Sequence, residues 1–214
     1  MHLKISPNSK GLTLIELLLA FVIFSILIGA IYRFFVLQSR AYSIQDHVVE
    51  TQQNLRSSME ILLRDLRMAG FDNDDQLSQI EINTPIVSGT DNITVNYEYD
   101  NITRYSIKYW RDANSKIVKR QLTTYNPSGV GNSLPEEDLL ENVEDLHFTY
   151  GVDTNSDDLL DGWKEATEVN PGDKIVAVRI RLTARPRQTL QEAQQMMSPR
   201  QLETVVTLRN QCLR

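Results

Sequence analysis

Between Leu12 and Leu37 the chain carries only two charges, Glu16 and Arg33, in an otherwise apolar run. No other feature constrains the fold as strongly. A helix rises 1.5 Å per residue, so roughly 20 residues cross a hydrocarbon core of about 30 Å. A carboxylate inside such a helix is costly unless it is paired, so Glu16 demands a partner. Ahead of the run stands a short polar leader that ends in Lys10-Gly11.

Four readings of this segment compete. A buried core helix does not fit a segment that is apolar on all faces and stands at the N-terminal end. A secretory signal fits the basic start. Its apolar stretch would be shorter, however, and would end in a small-residue cleavage site. A permanent anchor fits but leaves Glu16 without a partner. A leader cleaved ahead of the apolar run accounts for both Gly11 and Glu16, because cleavage creates a new α-amine. Lys4 and Lys10 precede the run, which places the leader in the cytoplasm and the remainder outside.

Beyond the apolar run, residues 38 to 70 hold no proline and a single glycine, at the end. Val48, Gln52, Leu55, Met59, Leu62, Leu66 and Ala69 recur at steps of three and four, which predicts one face of an amphipathic helix. Arg56, Glu60, Arg64 and Arg67 fall opposite. Gly70 suits a C-cap. The result is one helix of about 55 residues from Leu12 to Ala69.

After Gly70 the period changes to two. Ile93, Val95, Tyr97 and Tyr99 alternate with polar residues. Tyr105, Ile107 and Tyr109 repeat the pattern, and Ile117–Leu122 follows the turn at Asp112–Ser115. Leu146, Phe148 and Tyr150 form another strand. Val176, Val178, Ile180 and Leu182 form the clearest one, with Glu203–Leu208 as its pairing partner. These are half-buried antiparallel strands. The predicted fold class is α+β, a long N-terminal helix packed on an antiparallel sheet domain. Met196-Met197 sits as an apolar spot in the polar loop Arg185–Pro199.

Composition narrows the chemistry. The net charge is −6, whereas nucleic-acid binding usually needs a basic face, so a nucleic-acid partner is not expected. The single cysteine, Cys212, excludes an internal disulfide. His2, His47 and His147 lie far apart, and no nucleophile elbow or phosphate loop is present, so no catalytic set and no required cofactor are expected. Arg104–Arg120 and the C-terminal region are basic, whereas Pro135–Asp173 is strongly acidic. Within the acidic stretch, Asp153, Asn155, Asp157, Leu159 (through its carbonyl), Asp161 and Glu165 are candidate Ca²⁺ ligands at near-alternate positions. Two departures mark the loop: Asp158 stands where such loops have glycine, and Lys164 stands at the twelfth position. A solvated acidic hairpin is the alternative. Asp72-Asn73-Asp74-Asp75 reads as an acidic turn.

Lys10-Gly11-Leu12-Thr13-Leu14-Ile15-Glu16-Leu17 resembles the class III signal of type IV pilins and type II secretion pseudopilins. The resemblance implies that a prepilin peptidase cuts between Gly11 and Leu12 and that Leu12 becomes N-methylated. Glu16 is then an assembly contact, meeting the new amine of a neighbouring subunit. Leu12 departs from the commoner Phe. Arg33 stands where many major pilins have a kinking proline, which points to a low-copy subunit. Leu62–Phe71 resembles PilW-type minor pilins, and the late strand with Leu208-Arg209-Asn210 is shared with J-type pseudopilins.

The implied organisation is leader 1–11, transmembrane or fibre-core helix 12–37, amphipathic stalk 38–70, and periplasmic β-rich domain 71–214. The implied setting is the bacterial inner membrane and then the fibre. The implied partners are other minor pilins, the major pilin, the peptidase and the inner-membrane assembly platform. The implied function is a minor pilin that initiates or assembles a type IV pilus. Its alternatives are a J-type minor pseudopilin at a pseudopilus tip and a surface-exposed adhesion module.

Overall fold

The computed structural model describes residue 11 and residues 13–72, 78–186 and 198–211. Leader residues 1–10, Leu12, Asn73-Asp74-Asp75, Met196-Met197 and Cys212 lie outside the described residues, as does most of the Arg185–Pro199 loop. The chain divides into two units, Met1–Asp46 and His47–Arg214.

The helix α1 runs from Leu14 to Arg67. Its apolar part, from Leu14 to Leu37, is exposed except at the half-buried Val36. By length and composition it is sufficient to cross a membrane.

In the second unit the face of α1 follows the predicted steps, with Leu55, Met59, Leu62, Leu66 and Ala69 all buried. Gln52 is the exception. It is exposed, and Thr51 takes the buried place, with its hydroxyl donating to His47 O at 2.8 Å. Two further polar residues, Ser58 and Asp65, are buried on this face. The periodicity of apolar residues could not disclose them. Helical turns end at Gly70, which has φ +70°. The left-handed backbone is what calls for glycine; a Cβ there would also displace the tip of the Gln211 side chain and stand 3.2 Å from Pro85 Cβ. Asn210 Nδ2 reaches the carbonyls of Arg67, Met68 and Ala69 at 3.4, 3.5 and 3.4 Å. These lie among the last carbonyls of the helix, of which Met68 O also accepts from Phe71 N–H at 2.9 Å.

Among the described residues ten strands follow: β1 Ile86–Ser88, β2 Asn92–Asp100, β3 Thr103–Asp112, β4 Ile117–Tyr125, β5 Gly131–Ser133, β6 Glu137–Leu140, β7 Val143–Asp153, β8 Gly162–Glu165, β9 Lys174–Ala184 and β10 Arg200–Thr207. All pairings are antiparallel. They form two sheets rather than one. The first has order β1-β2-β3-β4-β5, with β6 also on β4. The second has order β10-β9-β7-β8. β9 and β10 pair as expected, Glu203 with Arg181 and Thr207 with Ala177.

Both sheets and α1 share one apolar cluster. It joins Leu62 and Leu66 to Ile93, Val95 and Ile107 of the first sheet, and to Phe148, Val178 and Ile180 of the second. Fully burying each such side chain contributes about 1.5–3 kcal/mol. The sheets are stitched together where Phe148 N–H donates to Thr90 O at 3.0 Å. Tyr150 Oη donates to Gly89 O at 2.7 Å nearby.

The alternation expected in β2 fails beyond Val95. Tyr97 is half-buried and Tyr99 is 61% exposed, whereas Asn96 is buried and Glu98 is only 1% exposed. The chain after the helix covers that other face. Asn96 Nδ2 donates to Thr84 O at 2.7 Å, and Ser78 Oγ donates to Glu98 Oε1 at 2.8 Å. Gly70 N–H bonds Asn96 O, and Glu98 N–H bonds Phe71 O. Burial of these polar side chains is tolerated because each has hydrogen-bond partners.

Candidate functional site

The first functional element is the start of α1. Thr13 is its cap. Thr13 N–H and Thr13 Oγ1 both donate to Glu16 Oε2 at 2.9 Å, and Glu16 N–H reaches back to Thr13 Oγ1 at 3.4 Å. This is a reciprocal capping box, spelled by Thr-x-x-Glu. The Thr13–Glu16 spacing is legible in the sequence, where the expectation for Glu16 rests on its charge in the membrane alone. The cap occupies Oε2. Among the described residues, Glu16 Oε1 has no partner. A carboxylate has two oxygens and about four acceptor sites, so a capped Glu16 can still accept a cation.

The second element ties α1 to the first sheet. Asp65 lies on the buried face of α1, and its side chain meets two residues of adjacent strands. Tyr109 Oη donates to Asp65 Oδ2 at 2.6 Å. Arg120 Nε and Nη2 each donate to the same oxygen at 3.1 Å. Arg120 Nε is also 3.0 Å from Tyr109 Oη, while Nη1 reaches Glu137 Oε2 at 3.0 Å. The pairing register explains the meeting, since Tyr109 stands directly across from Arg120. Burial, reinforced by the Asp65 charge, pushes the Tyr109 hydroxyl well above its usual range. Neighbouring Tyr97 is pushed up to about 12, chiefly by burial, with Asp65 adding to the effect. Nothing in the sequence singled Asp65 out, because its partners lie 44 and 55 residues away.

The third element is the acidic loop. Asp153 is buried, and its carboxylate accepts backbone N–H groups from Asn155 and Ser156 on Oδ1 and from Asp158 on Oδ2. Burial opposes its ionisation, but these hydrogen bonds outweigh it and hold the carboxyl below its ordinary value. Asp161 Oδ2 takes the Thr154 hydroxyl at 2.6 Å and the Thr154 N–H at 2.7 Å, which likewise lower its pKa. Asn155 Nδ2 bridges Asp157 and Asp161. Leu159 N–H donates to Asp157 Oδ1. Asp158 adopts φ +64°, the backbone that glycine would supply in a calcium loop, and pairs with Lys174.

Glu165 is drawn elsewhere, to His147 Nε2 at 2.9 Å across β7 and β8. Hydrogen bonds thus link Asn155 to Asp153, Asp157 and Asp161, while Glu165 stands apart. Among the described residues, no three His, Cys, Asp or Glu side chains come together to hold a metal. The loop oxygens already accept the loop's own amides and hydroxyls, and a carboxylate so bonded keeps further acceptor sites. Binding of Ca²⁺ here is a proposal: a rise of several degrees in the melting midpoint at millimolar Ca²⁺ is its expected result, and no rise would remove it.

Among the described residues, the histidines His47 and His147 do not assemble a reactive set. His47 lies 3.6 Å from Glu50 on the helix, and His147 is the one just described.

Two family profiles match the chain. Residues 6–32 match the prokaryotic N-terminal methylation motif. Residues 104–204 match type IV pilus-assembly protein W. No curated protein matches. The first match spans Gly11, Leu12 and the Thr13–Glu16 cap. The second runs from β3 into β10 and includes Tyr109, Arg120 and the acidic loop. Leu62–Phe71 and Leu208-Arg209-Asn210 fall outside both matches.

Proposed function

We propose, from the premise that this chain is a type IV pilin-like protein of the PilW kind, that it is a minor pilin acting in the initiation and assembly of a type IV pilus. One observation carries the reading. The methylation motif at 6–32 coincides with an exposed apolar helix whose early charge, Glu16, keeps one carboxylate oxygen free.

The proposed sequence of events follows from charge. Prepilin peptidase cuts between Gly11 and Leu12. The α-amine of Leu12, methylated but still basic, is cationic near neutral pH. Neither this amine nor Glu16 is tolerated alone in lipid, but the two together are. Within one chain Glu16 is already held by Thr13. Its free oxygen therefore meets the amine of a neighbouring subunit and sets the axial register between parallel helices. The C-terminal unit then stands outside the inner membrane, where it contacts other minor pilins and the major pilin above the assembly platform. The role is structural, and no step requires a cofactor.

Deleting the gene and counting surface pili tests the reading. Loss of pili, restored by the wild-type gene, is expected. Normal piliation with loss of protein secretion would instead favour the pseudopilus. Normal piliation with loss of adhesion would favour a binding module.

A further inference from the structure

Every sheet has edges, and proteins blunt them with short strands, bulges, proline or lysine. Four edge strands here are short: β1 and β5 have 3 residues each, and β6 and β8 have 4. The fifth, β10, has 8 residues and, among the described residues, pairs only with β9. It carries no proline, glycine or lysine, and its pairing with β9 runs without a bulge.

Leu208 N–H donates to Val176 O. In an antiparallel ladder alternate residues face the partner. Val206, Thr204 and Leu202 therefore face β9, and Gln201, Glu203, Val205 and Thr207 turn their backbone N–H and C=O to the open side. Among the described residues, no other strand pairs with that side. Val205 is 49% exposed there.

At the C-terminal end of β10 lies a groove of about 520 Å³ lined by Arg67, Val205, Val206, Thr207 and Arg209. No acid lines it. Both arginines are exposed, and among the described residues neither side chain has an ion-pair partner. A row of open backbone groups ending between two free guanidinium groups fits one kind of ligand. That ligand is extended, offers its own backbone, and carries carboxylates at one end.

We propose that the open edge of β10 receives an acidic, extended segment of another subunit, which adds to the second sheet as a further strand. The proposal rests on the reading that this chain assembles with other subunits, and it names the surface and chemistry of one such contact. It does not involve the apolar part of α1, Leu14 to Leu37. Its failure would leave the deletion phenotype standing, and failure of the pilin reading would appear as normal piliation.

The test uses the full chain in detergent micelles and a labelled synthetic peptide of alternating Val and Thr with Glu at one end. Fluorescence anisotropy reports binding. Saturable binding is expected, weakened at least about tenfold by the double change Arg67→Glu and Arg209→Glu. A peptide N-methylated at alternate backbone nitrogens should also lose at least about tenfold, since it cannot complete the ladder. Val205→Pro removes an outward N–H without touching the β9 pairing, and should weaken binding while the melting midpoint is retained. Three results would overturn the proposal: no saturable binding, equal binding of the N-methylated peptide, or equal binding of a peptide with Lys in place of Glu. So would a concentration-dependent dimer joined through Val205, because the edge would then belong to a second copy.

Discussion

Asp65→Ala is expected to lower the unfolding free energy of the C-terminal unit by about 3–5 kcal/mol, the usual cost of removing one partner from a buried ion pair. Asp65 is only 3% exposed. Its Oδ2 is the meeting point of Tyr109 and two N–H groups of Arg120. Without it Arg120 keeps Glu137, but that residue is mostly exposed and a surface pair is worth about 0–1 kcal/mol. The Tyr109 hydroxyl, fully buried, would have no acceptor in place of the carboxylate. Tyr109→Phe removes the donor to Asp65 and an acceptor of Arg120 Nε but leaves the ion pair, and should cost less, about 1–2 kcal/mol. Denaturant unfolding of the full chain in detergent measures both. A loss below about 1 kcal/mol for Asp65→Ala would show that apolar packing alone holds the helix to the sheet.

Glu16→Ala should leave membrane insertion intact, since removing a charge makes the helix more apolar, yet cut incorporation into fibres at least about tenfold. The capping box supplies the control that separates two roles. If Glu16 merely caps its own helix, Thr13→Ala should harm assembly as much as Glu16→Ala does. Loss of a cap costs about 1 kcal/mol. If the carboxylate pairs with an amine on a neighbour, Thr13→Ala should assemble nearly normally. Glu16→Gln, which keeps an acceptor but loses the charge, should fail. Immunoblotting of sheared fibres against the membrane fraction reads the difference. Equal incorporation of wild type and Glu16→Gln would sink the pairing.

The sequence carried those parts of the fold that rest on local periodicity. The amphipathic stretch of α1, its glycine stop and the strands β3, β7, β9 and β10 were all readable, because a buried face repeats every two or every 3.6 residues. β1, β5, β6 and β8 were not, since three or four residues hold too few repeats to show a period. Division into two sheets was also hidden, because it depends on which strands pair rather than on any strand's composition. Tyr99 misled because the chain after Gly70 covers the other face of β2 and reverses which side is buried.

At the site, the Gly11–Glu16 motif was visible as a string. Thr13's share in it was not weighed, because a charge in an apolar run drew attention to the membrane instead of to the helix start. Asp65, Tyr109 and Arg120 lay beyond reach. Each is an ordinary residue in its own element, and only the tertiary fold brings them within 3.1 Å.

The central claim is that this chain enters its fibre as a processed subunit with a charged, modified N-terminus. Mass spectrometry of the full chain extracted from membranes of the native host tests it most directly. The account predicts a mature chain that begins at N-methyl-Leu12 and has lost the eleven residues through Gly11. An intact leader beginning at Met1 on the membrane-extracted chain would contradict it.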